Sequence, residues 1–304
     1  MPTLQSLLKE SKTIIADGAM GTLLFAAGLP PGGSPELWNV ENPEKIAAVH
    51  QAYLDAGSRL LLTNTFGGSC YRLAQHGLDG RVTELNQAAA QVLRNVILES
   101  GKPALAAGDI GPLGQVMQPY GELAFEQAVA AFTEQASALV KGGVDLIWIE
   151  TMADLQEMRA ALAAVRQVSA NIPILTTMTF DSHDRTMMGV TPEKAVQTLI
   201  DLGAAAVGGN CGNGPEEIIT VIEKMHAKAP QALLIAKANA GIPELVDGKP
   251  VYRASPEDMA EYAGKVFAAG ARIIGACCGS SPEHIRAIAR AIAHAIAFSN
   301  ESSV

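Results

Sequence analysis

The chain has 304 residues, is 48% hydrophobic and 17% charged, and carries a formal net charge of −9. That length accommodates one large barrel or two ordinary domains, and the composition fits a folded protein with a sizeable core. An acidic balance with scattered lysines and arginines excludes the basic face that nucleic acid requires, and no stretch reaches the ~18 uninterrupted apolar residues of a membrane helix.

The N-terminal run MPTLQSLLKES shows no basic segment followed by an apolar one. No signal peptide is expected, and the cytosol is the expected location. Short apolar, β-branched runs then predict eight strands, over residues 13–17, 59–65, 103–109, 146–150, 172–179, 205–210, 233–238 and 272–277. They are nearly all apolar, as parallel strands covered on both faces are.

Helices are predicted between them. Leu85, Ala89, Val92, Val96 and Ile97 recur at three- and four-residue steps within residues 83–100. Phe125, Val129, Phe132, Ala136 and Leu139 repeat the pattern, as do Ile285, Ile288, Ile292 and Ala295 near the C-terminus. Each set forms one apolar stripe facing a sheet. Thr191-Pro192-Glu193 and Ser281-Pro282-Glu283 read as helix starts with proline near the first helical position.

Strand and helix alternating in this way predict an α/β chain folded as a (β/α)8 TIM barrel. It is expected to form one domain over residues 1–304, with a core of about 12–297. The lack of a GxGxxG run after the first strand argues against a doubly wound sheet.

In such barrels the active site lies at the C-terminal ends of the strands. Three of the four cysteines fall there: Cys211 closes the sixth strand, and Cys277 and Cys278 close the eighth. In a reducing compartment a disulfide is not expected, which leaves metal ligation or redox chemistry. Adjacent residues on a regular strand point to opposite faces, so both Cys277 and Cys278 reach one metal only if the strand ends or bulges there. Gly279 permits that. Cys70 begins a helix-like segment and is given no role. Three thiolates leave a fourth zinc position open, as in a catalytic site. Such an electron-rich centre suits a substrate thiol held as thiolate, which points to alkyl transfer to sulfur.

Further strand ends carry DGAMGT (residues 17–22), TNTF (63–66), GDIGP (108–112) and Glu150-Thr151. Together with Asn210-Cys211 and GACCGSSPEH (275–284), these motifs resemble the homocysteine S-methyltransferase family, above all the homocysteine-binding module of cobalamin-dependent methionine synthases. The resemblance implies zinc on Cys211, Cys277 and Cys278, with homocysteine binding through its sulfur. It implies that Asn239 supplies a neutral oxygen before substrate arrives. Backbone N–H groups near Asp17 and Gly18, with Thr65, would take the substrate carboxylate; Glu150 and Asp17 would take the ammonium.

The residues themselves leave alternatives. Glu150 ends an apolar run and is costly to bury unless paired; substrate is the favoured partner because no cationic neighbour is evident in the sequence. Asp17 reads equally as the cap of its turn. Asp109 reads as a structural carboxylate bonded to loop N–H groups, and His284 as structural. The expected methyl donor is a methyl-corrinoid, on a protein in trans or as free methylcobalamin. An S-methylmethionine- or betaine-type donor, or another thiol acceptor, is the alternative. Gly279 stands where family members that use S-methylmethionine commonly carry Arg. A metal-storage subunit and a redox pair at Cys277–Cys278 are the remaining readings.

Overall fold

The computed structural model describes residues 2–246 and 249–301. Eight parallel strands form the barrel: β1 (Ile14–Ile15), β2 (Leu60–Leu62), β3 (Leu105–Ile110), β4 (Leu146–Met152), β5 (Ile174–Met178), β6 (Ala206–Cys211), β7 (Leu234–Ala238) and, after a hairpin, β10 (Ala271–Ala276). Their order is β1-β10-β7-β6-β5-β4-β3-β2. A parallel bridge between Ala16 and Leu60 joins the two ends, so the sheet closes on itself. The hairpin pairs β8 (Glu244–Val246) with β9 (Lys249–Val251) and lies in the connection after β7; the sequence reading had no element there.

The wall helices are α4 (Pro43–Ala56), α6 (Val82–Ser100), α7 (Phe125–Gly142), α8 (Leu155–Val168), α9 (Pro192–Asp201), α10 (Pro215–Lys228), α11 (Pro256–Ala268) and α12 (Pro282–Glu301). Short helices α1 (Leu4–Ser11), α2 (Met20–Ala26), α3 (Trp38–Glu41) and α5 (Cys70–Leu73) fill the remainder. The expected helix starts hold: the Thr191 side chain accepts from Lys194 N, with Pro192 as the first residue of α9. None of the described helices is long and apolar enough to cross a membrane.

The barrel interior explains where the chemistry lies. One side-chain row in each strand faces inward, at every second residue. Leu60 and Leu62, Leu105 and Ala107, Leu146 and Trp148 fill the lower interior with Leu175, Ile235 and Ile273, while Leu4 and Leu7 of α1 pack into the same cluster. The next inward positions are Asp109, Glu150, Lys237 and, beyond β10, Cys277. The same rows that build an apolar floor thus turn ionisable at the C-terminal rim.

The loops above that rim are braced from outside. Glu157 of α8 is buried and accepts a 2.7 Å hydrogen bond from Leu113 N in the loop after β3. Burial raises the Glu157 carboxyl to about 7, against the Leu113 bond that lowers it. A carboxyl raised in the folded state stabilises fully below its unfolded pKa of 4.5, and that contribution is lost as pH rises through 7. Glu157→Gln keeps an acceptor for Leu113 and removes the charge. The variant is expected to be more stable than the parent at pH 8, by up to about 3 kcal/mol, with no gain at pH 4. Urea unfolding at both pH values checks it, and equal shifts at both would refute it.

Candidate active site

The strand ends enclose a cavity of about 260 Å³, lined by Asp17, Gly18, Asp109, Glu150, Lys237 and the three rim cysteines among others. Cys211, Cys277 and Cys278 converge on it, with all three Sγ atoms within 4.8 Å of one another. Among the described residues they form the one His/Cys/Asp/Glu cluster compact enough for a metal ion.

Local backbone produces this convergence. β10 ends at Ala276, and Gly279 turns the chain with φ +79°, so Cys277 and Cys278 are freed from strand alternation as expected. Asn239 ties that turn to β6: its Oδ1 accepts from Cys278 N at 3.0 Å, and its Nδ2 donates to Gly212 O at 2.7 Å. Cys211 has φ +59°, and Thr151 at the end of β4 has φ +60°. This left-handed conformation is uncommon for any residue but glycine and strained for a β-branched one. Asn210 holds both ends: its Oδ1 accepts from Thr151 N at 2.9 Å, and its Nδ2 reaches Thr151 Oγ1 at 2.6 Å. The Asn-Cys pair is therefore a clamp followed by a ligand candidate.

The donor set fits zinc. Cys211, Cys277 and Cys278 offer three soft sulfurs from two elements beside the cavity, and these are the residues that would hold the ion. Hydrogen bonds from Cys211 and Cys277 pull the Cys278 thiol down to about 3, against its burial, and Tyr252 adds to the effect. One thiolate is already favoured here, and metal ligation requires thiolates.

The other half of the cavity is ionic. Lys237 Nζ lies 2.9 Å from Asp17 Oδ1, and both side chains are only 4% exposed. The other oxygen of Asp17 accepts from Leu62 N at 2.8 Å. Burial works to lower the Lys237 ammonium, but Asp17 and then Glu150 outweigh it and hold it above its ordinary value. It also lies over the Trp148 ring, 5.1 Å from the centroid. Burial raises Glu150 to about 7, with Lys237 opposing and Asp17 adding. Burial, then Glu150, pushes Asp109 well above the usual carboxylate range.

Two readings from the sequence are corrected here. Glu150 does have a cationic neighbour: Lys237, 87 positions away in sequence, which the barrel brings to it. The sequence held a signal, a lysine within the apolar run Leu-Leu-Ile-Ala-Lys-Ala, that was not used. Asp109 is not held by loop N–H groups through Oδ1, which is buried without a hydrogen-bond partner. Gly18 lies where a Cβ would come within 2.5 Å of Ser280 Oγ and 2.9 Å of Tyr53 Oη, so no side chain fits between cavity and wall. Thr65 is fully buried outside the cavity wall. Its hydroxyl donates to Asp109 O at 2.7 Å and shares a 2.6 Å bond with Thr63, the threonine that does line the cavity. Asn239 is likewise behind the wall. His284 is structural, as expected: Nδ1 accepts from Ser281 N, and Nε2 lies 2.9 Å from Ala254 O.

Residues 14–292 match the homocysteine S-methyltransferase family. A methionine synthase of Mycobacterium tuberculosis is 30% identical over 301 residues, which is 94% of this chain and 25% of that protein. A methionine synthase of Mycobacterium leprae is 30% identical over 298 residues, 93% of this chain and 24% of its own. The chain thus spans about a quarter of the length of these curated relatives. Among solved structures, the metallated homocysteine methyltransferase MmuM of Escherichia coli superposes with a TM-score of 0.80 at 24% identity, covering 94% of this chain and 99% of that one. A methyltransferase from Methanosarcina mazei gives 0.60 at 12% identity, covering 93% and 94%. With the barrel closed, the thiols gathered at its rim and the family match running through nearly every element, this chain belongs to the homocysteine S-methyltransferase family.

Proposed function

We propose that the chain transfers a methyl group to the thiol of homocysteine to give methionine, with zinc held by Cys211, Cys277 and Cys278 and a methyl-corrinoid as donor. The observation that carries this reading is one cavity with two chemistries, three convergent thiols at one end and buried carboxylates at the other. When bound, the ion supplies a Lewis-acidic centre that keeps a substrate thiol deprotonated at neutral pH.

The chain's own residues do the rest. Glu150, whose pairing with Lys237 is electrostatic and partial, accepts the substrate ammonium. The backbone N–H of Gly18 receives the carboxylate; that of Asp17, also expected from the resemblance, is already donated to Leu60 O at 3.1 Å. Asp17, bonded to Lys237 and Leu62 N, fixes the counter-charge rather than moving. Thr65 and Asn239 brace the wall from behind, the first at Asp109 and the second at Cys278. The cavity aligns the sulfur for in-line attack. A sulfur lone pair forms the new S–CH3 bond, and the bond between methyl and donor breaks with its electron pair left on the donor. No base at the methyl carbon is needed.

The test is to load the purified chain with zinc, supply homocysteine with methylcobalamin, S-methylmethionine or betaine, and score methionine by mass spectrometry. Methionine from methylcobalamin supports the full reading. Methionine from an onium donor alone keeps the acceptor and replaces the donor. No methionine from any of them overturns the proposal. Within this assay, Glu150→Gln is expected to raise the KM for homocysteine about 10- to 100-fold, the worth of a hydrogen bond to a charged group, with a smaller change in kcat. An unchanged KM would remove Glu150 from the substrate pocket.

A further inference from the structure

The side chain of Asp109 serves no step described above, although it lines the substrate cavity. Asp109 is the last inward position of β3, and its partner across the β3–β4 ladder is Trp148. Lys237 Nζ lies over the same indole, and Glu150 stands two residues beyond Trp148 on the inward row of β4. The backbone of Asp109 is fully committed. Its N–H donates to Thr63 Oγ1 at 3.0 Å, and its carbonyl accepts from Thr65 Oγ1 at 2.7 Å and from Gln135 Nε2 at 3.4 Å. The carboxyl is not: Oδ1 is buried with no hydrogen-bond partner. Such a group costs free energy, and native structures pair nearly all of them. The other charges of the cavity are accounted for. Lys237 forms its ion pair with Asp17. Glu36 accepts from Gly67 N and from Ser34 Oγ, both at 2.8 Å. Asp109 and Glu150 remain, two acidic groups on neighbouring strands with no cation of their own. A primary ammonium brings one positive charge and three N–H donors, enough for both.

We propose that Asp109 is a specificity-determining residue for the methyl acceptor: its carboxyl receives a second N–H of the same substrate ammonium that Glu150 receives, so the site selects a thiol that carries a primary amine over one that lacks it. The three hydrogen bonds to the backbone of Asp109 hold this receptor at the level of the Trp148 ring, beneath Glu150. The alternative, an Asp109 that only shapes the wall, predicts that its charge is dispensable for choosing between thiols.

The inference rests on the reading of this cavity as the homocysteine site, and the experiment separates the two. The probes are homocysteine and 4-mercaptobutanoate, which keeps the thiol, the carboxylate and the chain length and lacks only the amine. Binding of each to the full chain loaded with zinc is measured by isothermal titration calorimetry, for the parent, Asp109→Asn and the control Asp201→Asn, which removes an exposed carboxylate at the end of α9. The parent and the control are expected to prefer homocysteine. Asp109→Asn is expected to bind homocysteine roughly 10- to 100-fold more weakly, the worth of a hydrogen bond to a charged group, and 4-mercaptobutanoate no more weakly than the parent does. Asp109→Ser, which removes the carboxyl without adding an amide, is expected to give the same selective loss if the asparagine variant does not fold, as judged by circular dichroism. Equal weakening of both ligands, or an unchanged preference, overturns the role of Asp109 and leaves the homocysteine site standing. A parent that binds neither thiol, or both equally, overturns the assignment of this cavity to an amino acid and the role of Asp109 with it.

Discussion

Cys278→Ala is expected to yield a folded barrel that purifies without zinc and forms no methionine. The substituted side chain sits in the turn after β10, where its backbone N–H is held by Asn239 and its carbonyl by Ala240 N. Those bonds involve no sulfur, so the turn survives. The chemistry does not: two thiols remain, one of them on a different element, and a site that needs three soft ligands loses both charge and geometry. The structure gives no nearby histidine in the cluster to substitute for the missing sulfur among the described residues. Zinc content by elemental analysis, the far-ultraviolet circular dichroism spectrum and methionine formation together check the expectation. Retention of zinc at the parental level, or methionine formed at the parental rate without it, would refute the assignment of the metal to these cysteines. Cys70→Ala serves as the control. Cys70 lies in α5, packs against the core and is not in the cluster, so zinc content should not change.

The second large effect concerns Lys237. Lys237→Met is expected to destabilise the fold by roughly 3–5 kcal/mol, the cost of leaving a buried charge unpaired, and to lower Tm by roughly 5–8 °C at this chain length. The methionine fills similar volume beside Trp148 but leaves Asp17, Glu150 and Asp109 facing each other without the one cation among them. The pH dependence identifies the cause. In the parent, the raised folded pKa of Lys237 gives stabilisation that is complete below the unfolded value of 10.5 and lost only above the folded one. In the variant, Glu150 and Asp109 lose the cation that opposes their upward shift, so their cost grows as pH rises through neutrality and vanishes as they protonate. The gap in Tm between parent and variant is expected to be wide at pH 8 and to narrow toward pH 5. A gap of the same size at both values would mean that Lys237 matters for packing alone.

Much of this protein was legible before any coordinates. The alternation of apolar runs and helical stripes gave the barrel, because strands covered on both faces leave an unbroken apolar signature. The strand ends gave the thiols, because in a parallel barrel every strand delivers its last residues to the same face. Even the turn at Cys277–Cys278 followed from side-chain alternation and a glycine. Boundaries were less legible. The predicted second strand ran to Thr65, whereas β2 stops at Leu62, since Asp17 takes Leu62 N and the Thr63–Thr65 hydroxyl pair turns inward to Asp109. The hairpin of β8 and β9 was missed because its strands are only three residues long and β8 is exposed along its whole length, which leaves no apolar period to read.

Sequence by itself determined the fold class, the family and the three cysteines, since each depends on local pattern and on residue type at strand ends. Only the tertiary structure decided which charges meet. Lys237 lies 220 positions from Asp17 and 87 from Glu150, and only closure of the sheet sets all three around one cavity. The same closure placed Thr63 at the wall and Thr65 behind it. Pairing across a barrel depends on strand register and on which row faces inward, and a one-residue shift exchanges the inward and outward rows.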